Sequence, residues 1–155
     1  MKNWVKLVIC LLIPLAIGAI SGFATAENVN GWFTTLQKPS FNPPNWLFAP
    51  VWTALYLLMG ISSYLIFKNR PGQLKGTAGA VYFIQLLLNF AWSFIFFCFH
   101  QIGFALIDII VLWFAIITMI ICFSRINKTA GMLQIPYLLW VSFATVLNAA
   151  IYSLN

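Results

Sequence analysis

Hydrophobic positions gather into five long runs, residues 5–24, 46–67, 78–99, 104–123 and 132–154, divided by short polar breaks. Each run holds about 20 residues, which at roughly 1.5 Å per helical residue reaches the ~30 Å of a bilayer's hydrocarbon. The pattern predicts an all-α, polytopic membrane protein: one domain, residues 1–155, built as a bundle of five transmembrane helices. Polar and aromatic residues inside the later runs recur at helical spacing. In the third they are Tyr82, Gln85, Asn89, Trp92 and Phe96, and in the fifth Tyr137, Trp140, Ala144, Leu147, Asn148 and Ile151. The fourth offers Ala105, Asp108, Leu112 and Ala115. Hydrocarbon penalises polar side chains, so these three faces are expected to look inward.

One break is long. Residues 25–45 include Trp32, Phe33, Leu36 and Phe41, too apolar to float in water, and three prolines, Pro39, Pro43 and Pro44, that stiffen the chain. A folded lid over the mouth of the bundle is expected, with Asn45 capping the second helix. Pro14 predicts a kink in the first helix, and Gly18-x-x-x-Gly22 marks a face for close approach, by a neighbour in the bundle or by a second copy. Only residues 100–103 join the third and fourth runs, which must therefore form an antiparallel hairpin.

Composition and charge sharpen this picture. The chain is 63% hydrophobic and 6% charged, outside the range of soluble domains. Lys2, Lys6, Lys68, Arg70, Lys75, Arg125 and Lys128 fall on alternate breaks, hence on one side of five spans, while Lys38 and Glu27 share the other. The positive-inside rule puts the N-terminus in the cytoplasm and the C-terminus outside, with a bacterial inner membrane the expected location. The net charge of +6 is thus topological, and no basic element fit for nucleic acid is present. Cys10, Cys98 and Cys122 lie in apolar runs and read as free thiols. Residues 2–26 also look like a signal peptide ending at Ala24-Thr25-Ala26, but the run is long for a signal core and reads as a retained span.

One His and two acids supply no metal-ligand set, no nucleophile with an adjacent base and no phosphate cradle, so conventional hydrolysis and phosphoryl transfer are set aside. Neither a metal nor a required cofactor is expected. Depth is more informative. Counted at about 1.5 Å per residue, Asp108 lies roughly 6 Å below the outer boundary and Trp52 about 9 Å, with Asn148 in the outer half and Asn89 and Trp140 near mid-depth. Trp4, Trp32 and Trp46 suit interfacial anchors; Trp52, Trp92 and Trp140 are too deep for that. Indoles and amides therefore converge on a cavity beneath the lid, suited to a large, flat, mostly apolar ligand. Asn89 and Gln85 could equally be interhelical glue. Asp108, costing about 2.5–3.5 kcal/mol at a helix centre, could be bonded to His100, Gln101 or an inward tyrosine.

An ordered set of motifs then stands out: Trp32-x-x-x-Leu36-x-Lys38-Pro39-Ser40-Phe41-x-Pro43-Pro44, Pro50-Val51-Trp52-x-x-Leu55-Tyr56, Gln85-x-x-x-Asn89-x-Ala91-Trp92-Ser93, Ala105-Leu106-x-Asp108, Pro136-Tyr137-x-x-Trp140 and Phe143-Ala144-Thr145-x-Leu147-Asn148. In these the chain resembles the translocator protein / tryptophan-rich sensory protein family (TspO/MBR, the peripheral-type benzodiazepine receptor family). The resemblance implies a five-helix bundle, often a homodimer, whose first loop covers a pocket for porphyrins such as protoporphyrin IX. It assigns Trp52, Asn89, Trp140, Ala144 and Asn148 to that pocket, with Tyr56, Trp92, Pro43 and Pro44 close by. Two departures matter. Tyr152 lacks the following Lys or Arg of the family's cholesterol pattern, and Gly76-x-x-x-Ala80 competes with Gly18-x-x-x-Gly22 as a dimer seam.

Three functions are consistent with these features. A receptor or transport-associated protein would bind a tetrapyrrole between Trp52 and Trp140, with Asn89 and Asn148 on its polar edge. An enzyme of the kind reported for some members would degrade porphyrin with light and oxygen, with Trp52 and Trp140 as redox participants. A small transporter would need a polar file continuing to the cytoplasmic side, which the aliphatic fourth run does little to supply.

Overall fold

The computed structural model describes residues 1–68 and 72–155; Asn69, Arg70 and Pro71, expected in a charged cytoplasmic turn, lie outside the described residues. Six helices follow one another: α1 (Asn3–Asn30), α2 (Phe48–Phe67), α3 (Gln73–Ser93), α4 (Ile102–Ile126), α5 (Lys128–Met132) and α6 (Ile135–Leu154). A π-turn over Phe94–Cys98 extends α3, and short α5 joins α6 in one apolar segment, so five segments are long and apolar enough to cross a membrane. No strand occurs among the described residues. The protein is an integral membrane five-helix bundle.

The helices outrun their apolar runs because helix ends follow backbone hydrogen bonding, whereas the runs mark the limits of lipid. The largest difference is at α1, which continues past Ala24 through Glu27 to Asn30, where Gly31 ends it. The lid is therefore shorter than residues 25–45 and starts at Gly31. Asn45 does not cap α2; it opens a 3-10 turn, Asn45–Leu47, in which the Leu47 N–H donates to the Pro44 carbonyl. Pro14 is buried within α1, which runs through it. At the far end α5 is capped by Asn127, whose side chain accepts from the Ala130 N–H at 3.1 Å.

Packing follows the predicted faces in α3 and α6: Tyr82, Gln85, Asn89 and Phe96, and Tyr137, Ala144, Leu147, Asn148 and Ile151, are all buried. In α4 the phase differs. Its buried stripe is Ala105, Ile109, Leu112, Ile116, Met119 and Phe123, while Asp108 and Ala115 are only half-buried on its flank. Large aliphatic and aromatic side chains at alternating three- and four-residue intervals claim the core, and that stripe turns the carboxylate aside. The positively charged breaks do share one end, where the Lys6 ammonium donates to the Lys68 carbonyl at 2.8 Å and Lys75 and Arg125 line one hollow.

Two glycines set the approach of α1 to α2. A Cβ on Gly60 would lie 2.8 Å from the Leu11 Cα and 2.9 Å from the Cys10 carbonyl oxygen, so the backbones touch there. One on Gly18 would overlap the Tyr56 ring, whereas Gly22 has open space beside it. Gly18 therefore serves the interior of the bundle, and Gly22 packs against no neighbour within it. Gly60→Ala is expected to destabilise the fold by about 1–3 kcal/mol because backbone must move, and Gly22→Ala to leave it unchanged or slightly firmer. Thermal melting of the two variants in the same detergent reads the difference.

Candidate functional site

A cavity of about 620 Å³ opens in the half of the bundle beneath the lid, within the range of small-molecule sites. Its walls come from α1, α2, the end of α3, α6 and the lid residue Phe33. Trp52 stacks on Tyr56 with ring centroids 5.6 Å apart, Trp92 on Phe96 at 5.3 Å, and Trp140 meets Phe48 edge to face at 6.0 Å. All of these rings line the hollow, as do Ala144 and Asn148. The deep indoles thus meet where the sequence places them.

The amides behave differently. Asn148 accepts from the Trp92 indole N–H at 3.0 Å and donates to the Ile102 carbonyl at 3.1 Å, which fixes the indole and ties α6 to the start of α4. Asn89 lies below the cavity rather than on its wall: the Tyr56 hydroxyl donates to its Oδ1 and its Nδ2 donates to the Tyr137 hydroxyl, each at 2.8 Å. Tyr137 in turn donates to Gln85 Oε1 at 2.8 Å. This chain of four neutral groups is a floor that locks α2, α3 and α6 in register, so Asn89 braces the aromatic walls from below, while Asn148 lines the hollow with both ends of its amide engaged.

Asp108 does not line the cavity, and its Oδ2 is buried without a hydrogen-bond partner among the described residues. Of the three partners considered for it, His100, Gln101 or an inward tyrosine, His100 is engaged elsewhere. Its Nε2 lies 3.0 Å from Asn28 Oδ1, and its ring, held at a positive φ of 56°, stacks on Trp32 at 4.1 Å. Pro43 and Pro44 are off the wall as well; they deliver Asn45, which is on it.

Three contacts hold the lid. Trp32 is clasped by His100, and Phe33 is driven to 3% exposure against Phe96 and Phe97 with the Lys38 ammonium 4.8 Å above its ring. Asn155 grips the Gln37 backbone at both ends, accepting from its N–H at 3.1 Å and donating to its carbonyl at 2.9 Å. The π-turn in α3 helps here by swinging Phe96 and Phe97 toward Phe33; a widened turn of this kind is common at functional sites.

The contribution of α1 was hidden in the sequence. Gly18, Ser21, Gly22, Thr25 and Ala26 form one wall, and Gly22 and Ala26 are exposed as well as lining, as are Ala49 and Thr53 opposite them on α2. Small side chains on both edges leave a slot between the helices on the lipid-facing side. Ser21 and Thr25, one turn apart in an apolar run, were the available signal.

The fold and site together define a class: a five-helix membrane bundle with an aromatic cavity of small-molecule size beneath an anchored lid. Sequence comparison agrees with that class. The TspO/MBR family model matches residues 10–154, and the chain belongs to the TspO/MBR family. It is 44% identical to the tryptophan-rich protein TspO of Archaeoglobus fulgidus over 99% of both chains. It is 35% identical to the translocator protein of Sus scrofa over 98% of this chain and 91% of that one. With the tryptophan-rich sensory protein of Cereibacter sphaeroides it shares 36% over 90% and 87% of the two chains. Membership supports a membrane receptor or transport-associated role.

Two outcomes test this geometry without a ligand. Tyr137→Phe removes both the acceptor for Asn89 and the donor to Gln85, and is expected to lower stability by about 1–2 kcal/mol, measured by detergent unfolding. Asn155→Ala should raise the amide exchange rate of Gln37 roughly tenfold while leaving α6 protected, as followed by hydrogen–deuterium exchange.

Proposed function

We propose that this protein binds flat tetrapyrroles of the protoporphyrin IX type in the cavity under the lid, as a receptor or transport-associated protein. The observation that carries the reading is the pairing of Trp52 and Trp140 on the walls of one hollow. Indole faces supply stacking area for a macrocycle, and the rest of the wall is apolar or small. Propionate groups would stay at the mouth, beside the exposed side chains of Asn30 and Asn45, where water remains available. Asn89 and Asn148 serve this reading as supports for Tyr56 and Trp92, and not as direct contacts to the polar edge.

The same reading sets the protein in a bacterial inner membrane, with the Lys- and Arg-bearing end of the bundle in the cytoplasm and the lid outside. A homodimer through α3 belongs to it too, because Gly76, Ala80, Phe83, Ile84 and Leu87 are exposed along that helix. No resident cofactor is required.

Titration of protoporphyrin IX into the purified protein should give a saturable shift of the porphyrin's Soret band and saturable quenching of tryptophan fluorescence. The Trp52→Phe/Trp140→Phe double variant is expected to bind roughly tenfold more weakly by the Soret shift. Equal affinity in the variant removes the proposed site. Illumination of the complex in air should return the porphyrin unaltered; bleaching with turnover would move the assignment to a light- and oxygen-dependent degrading enzyme.

A further inference from the structure

Hydroxyl groups in membrane helices usually bond back to the carbonyl one turn earlier. Thr25, Thr53, Thr118, Ser142 and Thr145 all do so, to Ser21, Ala49, Phe114, Leu138 and Val141, at 2.7–2.9 Å. Ser21 does not. It is 5% exposed, lines the cavity from α1, and its Oγ has no hydrogen-bond partner among the described residues. From a different wall, on α6, Trp140 likewise presents a buried indole N–H without a partner among the described residues.

Many of the other polar groups around the hollow are already engaged: Thr25 and Thr53 on backbone, Tyr56 on Asn89, and Trp92 and Asn148 on one another; Trp52, Ser93, Asn30 and Asn45 also line it without a side-chain hydrogen bond among the described residues, but their polar atoms are not buried as the Ser21 Oγ is. A buried donor left unmade is costly, so an unused hydroxyl on the wall of a ligand cavity is a recognition group in waiting. Among the described residues no Lys, Arg, His, Asp or Glu stands on that wall. A carboxylate drawn fully inside would lose its hydration with no opposite charge to replace it, which leaves a neutral acceptor as the chemistry the wall can take.

We infer that Ser21 is a ligand-contacting specificity residue whose hydroxyl donates to a neutral carbonyl oxygen on a flat apolar ligand, with the Trp140 indole N–H as a second donor across the cavity. This rests on the tetrapyrrole reading and adds to it the functional group that is read. The ligand class is a planar macrocycle or polycycle bearing an ester, amide or ketone. Ser21 thereby distinguishes such a molecule from an all-alkyl analogue of the same shape.

The experiment compares two porphyrins of one ring system, protoporphyrin IX dimethyl ester, which carries carbonyls, and octaethylporphyrin, which carries none, against the unsubstituted protein and Ser21→Ala. The expected result is a roughly 5- to 10-fold rise in Kd for the dimethyl ester in the variant, about one hydrogen bond, with octaethylporphyrin unchanged. Unchanged octaethylporphyrin binding also reports that the variant is folded. Loss of neither ligand, or an equal loss of both, overturns the role of Ser21 while leaving the tetrapyrrole reading intact. Failure of the unsubstituted protein to bind either porphyrin overturns that reading and this inference together.

Discussion

Within a bilayer's hydrocarbon no water is available to satisfy a polar group, so each one must find its partner in the protein or face an internal hollow. The chain from Tyr56 through Asn89 and Tyr137 to Gln85 is where this constraint acts most strongly. Four side chains from three helices satisfy one another with short bonds, and each bond fixes the rotation of a helix about its own axis. Apolar packing alone would not do this, because a helix surrounded by lipid loses little by turning one aliphatic face for another. With α2, α3 and α6 held by their polar residues, the rings one turn above the floor have no freedom to close the space between them.

The cavity follows from that arrangement. Tyr56 belongs both to the floor and to the wall, and its ring occupies the place that a side chain on Gly18 would need. Above it α1 and α2 no longer touch as they do at Gly60, and small residues leave a slot. The lid closes the other side through anchors on three different elements, one each from the α3–α4 hairpin, the π-turn and the last residue of the chain. Floor, walls and lid are separate solutions to separate packing problems, which is why a hollow survives among residues that are otherwise closely packed.

Much of this was legible in the sequence because a membrane chain has a simple grammar. Run length gave the spans, alternation of Lys and Arg gave the common end, and helical spacing of Tyr82, Gln85 and Asn89 gave the buried face of α3. The failures also have physical causes. For Asn89 the sequence left ligand contact and interhelical bonding open, because spacing shows which face is buried and not which neighbour a carboxamide will meet; the structure bonds it to Tyr56 and Tyr137. Asp108 was placed inward with Ala105 and Leu112, but Ile109, Ile116 and Met119 outweigh it and rotate α4. The extension of α1 to Asn30 was missed since hydropathy ends at lipid while hydrogen bonding does not. The π-turn at Phe94–Cys98 carries no composition signal, as it is fixed by the meeting of Phe96 and Phe97 with the lid.

Among the described residues, the wall of the hollow bears no formal charge. Contact made there by stacking and neutral hydrogen bonds offers nothing for dissolved ions to screen, so it should hold over a wide span of ionic strength. Apart from Lys38 on the lid, the cations among the described residues lie toward the opposite end of the bundle, where anionic headgroups and salt act on how the molecule sits in its bilayer. On the proposed reading, placement in the membrane and grip on a guest molecule would be governed by different forces, and a change in the ionic medium would alter the first without disturbing the second.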